Sequence, residues 1–124
     1  MRAFLLVSTL LFALSPPGPA EAQRPQPTQE QISRARTLFV EGSGHYQAGR
    51  LNEALDAFLE AWRILPNPAL AYNVARTYER ISDTQRSIEF YGHYLRHAAP
   101  DATERAEVER RIAALRAVAA RLEG

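Results

Sequence analysis

The 124-residue sequence contains no cysteine and no lysine, one methionine and one tryptophan. Without cysteine there is no disulfide and no thiol nucleophile, so stability has to come from packing alone. Without lysine, all 15 basic residues are arginine; 14 acidic residues face them and the formal net charge is +1. That balance leaves no electrostatic footprint of a nucleic-acid binder. Arginine makes better bidentate contacts to carboxylates than lysine does, although a GC-rich genome would produce the same bias. No stretch alternates with period two over the length of a strand, which points to an all-α fold. There is no G-x-S-x-G elbow and no phosphate-binding glycine loop, so no catalytic set is offered and no enzyme is expected. With 46% hydrophobic and 23% charged residues, the composition is that of one globular domain.

The start of the sequence reads differently from the rest. "MRAFLLVSTLLFALSPPGPAEAQ" has one early charge at Arg2, then an apolar run from Ala3 to Leu14. Pro16, Pro17 and Pro19 follow, and then Ala20-Glu21-Ala22. A positive start, a short apolar core and an A-x-A site form the pattern of a secretory signal peptide. About a dozen apolar residues fall short of the roughly 20 that span a bilayer, which disfavours an uncleaved anchor or a buried helix. The expectation for residues 1–22 is a signal peptide cleaved after Ala22. The mature chain would then start at Gln23 with no stable membrane insertion.

Residues 23–28, "QRPQPT", are a polar linker. Thr28 with Gln31 is an N-cap and capping box, opening a helix marked by Ile32, Ala35, Leu38, Phe39 and Tyr46. Gly49 ends it in the manner of a left-handed cap. A second helix runs from about Leu51 to Leu65, carrying Ala54, Leu55, Phe58, Ala61 and Trp62 on one side, and Pro66 and Pro68 stop it. A third covers Ala69 to Ile81. Asp83 then caps a fourth, which carries Ile88, Tyr91, Tyr94 and Leu95 and ends near His97. Pro100 breaks the chain, and Asp101 with Glu104 predicts the cap of a last helix. Its seam is Val108, Ile112, Leu115, Ala119 and Leu122, with arginine and glutamate on the other faces.

Two of these helix pairs stand in register at an offset of thirty-three residues. Ala54 answers to Ser87, Leu55 to Ile88, Phe58 to Tyr91, Ala61 to Tyr94 and Gly49 to Ser82. A fixed period of this size is the signature of a helical solenoid. Residues 35–67 resemble the tetratricopeptide repeat family: Gly42 falls at its small first-helix position and Gly49 at its turn. Ala54, Phe58 and Ala61 match its second helix, and Pro66 its closing proline. A second copy at 68–100 keeps Tyr72, Asn73, Ala75, Tyr78 and Tyr91, but has Ser82, Ser87 and Tyr94 where glycine, alanine and alanine are usual. The stretch 38–62, of the form LFxEGxxxYxAGRxxEALxxFxxAW, is similar to exported repeat proteins common in Gram-negative bacteria. The expectation is an all-α, tetratricopeptide-like solenoid of two helix-turn-helix repeats within residues 29–100. Residues 101–124 form a capping helix, two heptads being too short for an independent coiled coil.

The resemblance implies a non-catalytic interaction module of the bacterial cell envelope, periplasmic or secreted, with no cofactor. In the family, the first helix of each pair lines a concave groove that holds a peptide or helix of a partner. Mapped onto this sequence, the groove carries Arg36, Phe39, Val40, Ser43, Tyr46 and Gln47 from the first copy. Tyr72, Asn73, Arg76, Glu79 and Arg80 come from the second. An asparagine at the position of Asn73 often grips peptide backbones or C-terminal carboxylates, and Arg76 and Arg80, one turn apart, suit a carboxylate. The alternative expectation is a structural protein that self-associates through its terminal helices as a homodimer. Glu89, His93 and His97 share one helix face, but three ligands there leave a metal site incomplete, and no metal is assigned.

Overall fold

Thr28 opens the fold. Its Oγ1 accepts from the Gln31 N–H at 3.1 Å while Gln31 Oε1 accepts from the Thr28 N–H at 2.9 Å. Helix α1 (Gln29–Gln47) therefore begins on the reciprocal capping box that the spacing predicts. The computed structural model describes residues 25–124; the expected signal peptide and its cleavage site lie outside the described residues. Gly49, at φ +77°, turns the chain into α2 (Leu51–Ile64). Pro68 is not a stop but the first residue of α3 (Pro68–Ile81), where its missing N–H would be unsatisfied in any case. Asn67 caps that helix by accepting from the Leu70 N–H at 2.9 Å.

Ser82 ends α3 at φ +69°, and Asp83 caps α4 (Thr84–His97) by accepting from the Arg86 N–H. The last helix, α5 (Arg105–Glu123), departs from expectation at its start. Asp101 is exposed and caps nothing, and Glu104 stands at the cap position in helical geometry with no side-chain cap bond. The turn before α5 is instead closed by backbone bonds, Ala102 N–H to Ala99 and Arg105 N–H to Ala102. Arg105 Nη1 also donates to the Leu95 and Ala98 carbonyls at 2.9 and 3.2 Å. A side chain from the start of α5 thus serves the carbonyls at the end of α4.

All regular structure among the described residues is helical, so the protein is all-α. No described helix is long and apolar enough to cross a membrane. Each helix packs on its chain neighbours, α1 on α2 through to α4 on α5, an order compatible with a helical repeat solenoid. Residues thirty-three apart share environments: Ala54 and Ser87 are fully buried, as are Phe58 and Tyr91, and Gly49 and Ser82 share the left-handed backbone. One apolar cluster joins Leu38 to Ala54, Phe58, Leu70, Val74 and Tyr78. A second joins Ala71, Ala75, Tyr91 and Tyr94 to Val108 and Ile112 of α5. Each large side chain buried in them contributes about 1.5–3 kcal/mol.

Gly42 is required by the first cluster. A Cβ there would lie 2.7 and 2.8 Å from two ring carbons of Phe58. In the second cluster Ser87 keeps its hydroxyl satisfied by donating to the Ala75 carbonyl at 2.9 Å, the requirement for a buried polar group. Burial of the α5 seam declines toward the C-terminus, complete at Val108 and lost at Leu122. Leu115 and Ala119 are partly buried, whereas Leu122 is 79% exposed; Val118, off the seam, is 41% exposed.

Candidate interaction surface

Of the expected groove residues, Tyr46, Tyr72, Arg76 and Arg80 come together between α1 and α3. The Arg80 guanidinium donates to the Tyr46 carbonyl at 3.3 Å and stands 4.7 Å over the Tyr46 ring. Arg76 sits over the same ring at 5.4 Å and over Tyr72 at 5.7 Å. Cations held over tyrosine faces are attracted by the ring quadrupole, so these four side chains hold one another in place. Beside them Ser43, Tyr46, Asn73 and Arg76 line a concavity of about 210 Å³ whose floor is Phe58. Arg36 and Phe39 do not join it. They line a neighbouring hollow of about 250 Å³ bounded by Leu65 and Asn67. Tyr72 and Asn73 also border a third cavity, of about 310 Å³, reaching the turn between α4 and α5. The larger concavity at Arg34, Glu60 and Arg63 lies on the opposite side of α1, is edged by the Arg34–Glu60 ion pair, and contains none of the expected residues.

Arg76 and Arg80 have no carboxylate partner among the described residues. The acids nearest in sequence are committed elsewhere: Asp83 pairs with Arg86 at 2.8 Å, which holds its carboxyl below the usual range. Glu79 is a correction to the expected groove. It accepts from the Tyr91 hydroxyl at 2.7 Å and from Arg111 at 3.0 and 3.2 Å. It therefore joins α3 to α4 and α5 instead of facing a partner. Burial, then the bond to Glu79, pushes the Tyr91 phenol well above its ordinary range. Val40, 64% exposed, lines none of these hollows. Asn73 is well placed, bordering two cavities, but its amide donates to the Ala69 carbonyl of its own helix at 2.8 Å, so its nitrogen braces α3.

On the face shared by Glu89, His93 and His97, only His93 is packed; the other two are exposed. The His93 ring lies tilted against Phe90 and Trp62, with centroids 5.2 and 5.3 Å apart. Burial, with Arg96 close by, lowers its pKa. Among the described residues no three histidines or acids gather closely enough to hold a metal.

Sequence reasoning left Tyr94 as a mere irregularity of the second repeat. Its ring borders the third cavity while its hydroxyl is closed to solvent, and burial, then the neighbouring Glu104 carboxylate, raises the phenol above its ordinary range. The bulky residue at an alanine position was the available signal. Compared with known proteins, the chain matches no family model and no curated protein.

Proposed function

We propose that the protein is an interaction module of the tetratricopeptide repeat type, exported to the envelope of a Gram-negative bacterium. It would bind a segment of a partner protein along the α1–α3 surface. The observation that carries this reading is the pair Arg76 and Arg80, held over Tyr46 and Tyr72 with no carboxylate of their own. Such a pair suits an acidic group on the partner, because arginine makes charge-assisted, bidentate bonds to carboxylates. Phe39, Tyr46 and Tyr72 supply the aromatic anchors that dominate protein interfaces. The register of the two hairpins, down to the shared left-handed turn at Gly49 and Ser82, supports the family assignment.

The test is photo-cross-linking in the native host with the probe replacing Arg76, compared with a probe at exposed Asp56 on α2. Capture of one foreign envelope protein from position 76, lost when Arg80 becomes Gln, is the expected result. No capture above the control overturns it. A second reading, self-association, rests on exposed Val118 and Leu122. It requires a homodimer in sedimentation that dissociates on Leu122→Glu. Leu115 does not serve for that test, because it packs in the core.

A further inference from the structure

Helices α1 and α3 run the same way along their shared surface. Ala69 and Leu70 sit with Ile32 and Phe39 at one end, and Arg80 bonds to the Tyr46 carbonyl at the other. The two hollows between them abut, because Phe39 of one and Ser43 of the next are a turn apart on α1, as Leu70 and Asn73 nearly are on α3. Their chemistry differs. The hollow of about 250 Å³ is walled by Ile32, Phe39, Leu65 and Leu70, with room for one bulky aliphatic side chain. The concavity of about 210 Å³ carries hydroxyl and amide groups from Ser43, Gln47 and Asn73, and ends at the Arg76 and Arg80 guanidiniums over Tyr46. The Asn73 nitrogen is bonded to the Ala69 carbonyl, which leaves the amide oxygen to accept.

From the level of the apolar hollow to that of the arginine pair is about nine or ten residues along either helix, or about 14 Å at the helical rise. An extended chain advances about 3.3 Å per residue and returns a side chain to the same face at every second residue. About four residues therefore cover the distance with both side chains turned into the groove, whereas three or five turn one of them away. We infer that the groove reads a spacing: it takes an extended segment of a partner protein in which a bulky aliphatic residue stands four positions from an aspartate or glutamate. This rests on the α1–α3 surface being the binding surface. Arg76 and Arg80, with no carboxylate among the described residues, complement the acid. The apolar walls take the aliphatic side chain, and the polar groups between the two anchors meet backbone N–H and C=O groups that an extended chain leaves free. A helical segment pairs its own backbone and would leave the Asn73 oxygen and Gln47 nothing to bind.

The test titrates the purified, isotope-labelled protein with peptides blocked at both ends and follows its backbone amides by NMR at constant ionic strength. Leucine and aspartate stand three, four or five positions apart in a serine–glycine background, in both orders. A spacing of four, in one of the two orders, should bind about tenfold more tightly than either other spacing, the worth of one anchored aliphatic side chain. Shifts are expected at both Phe39 and Tyr46. Arg80→Gln should weaken that peptide about fivefold, through loss of one exposed charge contact. Ala69→Glu sets a carboxylate at the mouth of the apolar hollow and should remove the preference for four. Ala69 is exposed in the first turn of α3, where an acid is favoured, so the thermal midpoint should hold. Equal affinity at all three spacings, a preference that survives Ala69→Glu, or no saturable shift with any peptide overturns the spacing rule. Binding indifferent to Arg80→Gln overturns it as well. The reading of the α1–α3 surface falls separately, if the probe at position 76 captures nothing above its control.

Discussion

At Gly42, the missing Cβ leaves room for the Phe58 ring, itself 1% exposed and packed on Phe39 with centroids 5.8 Å apart. Gly42→Ala gains about 1 kcal/mol of helix propensity but meets ring carbons at 2.7 and 2.8 Å, an overpacking that costs about 1–3 kcal/mol. The crowding wins: thermal denaturation should show a lower midpoint, with about 1 kcal/mol lost. Ser82 is the opposite case. It is exposed and its φ is +69°, a conformation that disfavours any residue with a Cβ by about 1 kcal/mol. Ser82→Gly should raise the midpoint, and the equivalent position already holds Gly49.

At the scale of the helix, α5 is attached by Val108, Ile112 and Leu115, by Arg105 at its start, and by a polar knot of Arg111 bonded to Glu79 and Glu107, with Tyr91 on the same Glu79. Arg111→Met removes the cation and leaves Glu79, half-buried, with Tyr91 alone. A loss of about 1–2 kcal/mol is expected, and hydrogen exchange should show α5 amides opening sooner while α1 amides keep their protection. The knot also marks the limit of sequence reasoning. The caps at Thr28 and Asp83 and the turn at Gly49 were legible because their partners lie within three residues or within the local backbone. Glu79 was misplaced in the groove because its partners lie 12 and 32 residues away. At the start of α5 the expected side-chain cap is absent and backbone bonds close the turn, while Arg105 reaches back 10 residues to Leu95. Among the groove residues, the family resemblance put Ser43, Tyr46, Asn73 and Arg76 in one groove, and they do line one concavity. It did not reveal that Arg36 and Phe39 face a separate hollow, since that depends on how the α2–α3 connection folds over them.

Over the whole molecule, the two apolar clusters are not independent. Trp62 and Phe90 pack against both, with their rings edge to face at 5.6 Å. Val108 continues the register of Gly42 and Ala75 by another thirty-three residues and is fully buried, and through it α5 extends the second cluster. A chain knit in this way should unfold in one step. Calorimetric and van't Hoff enthalpies are expected to agree, and a ratio well above one would mean that the hairpins melt separately.

Trp62 is the single tryptophan of the sequence, and the His93 ring lies 5.3 Å from it. An imidazolium accepts an electron from an excited indole far more readily than neutral imidazole does. The folded protein therefore carries a built-in optical indicator. Because burial lowers the His93 pKa, emission should stay bright through neutral pH and dim only below the ordinary histidine range. His93→Phe should abolish the change.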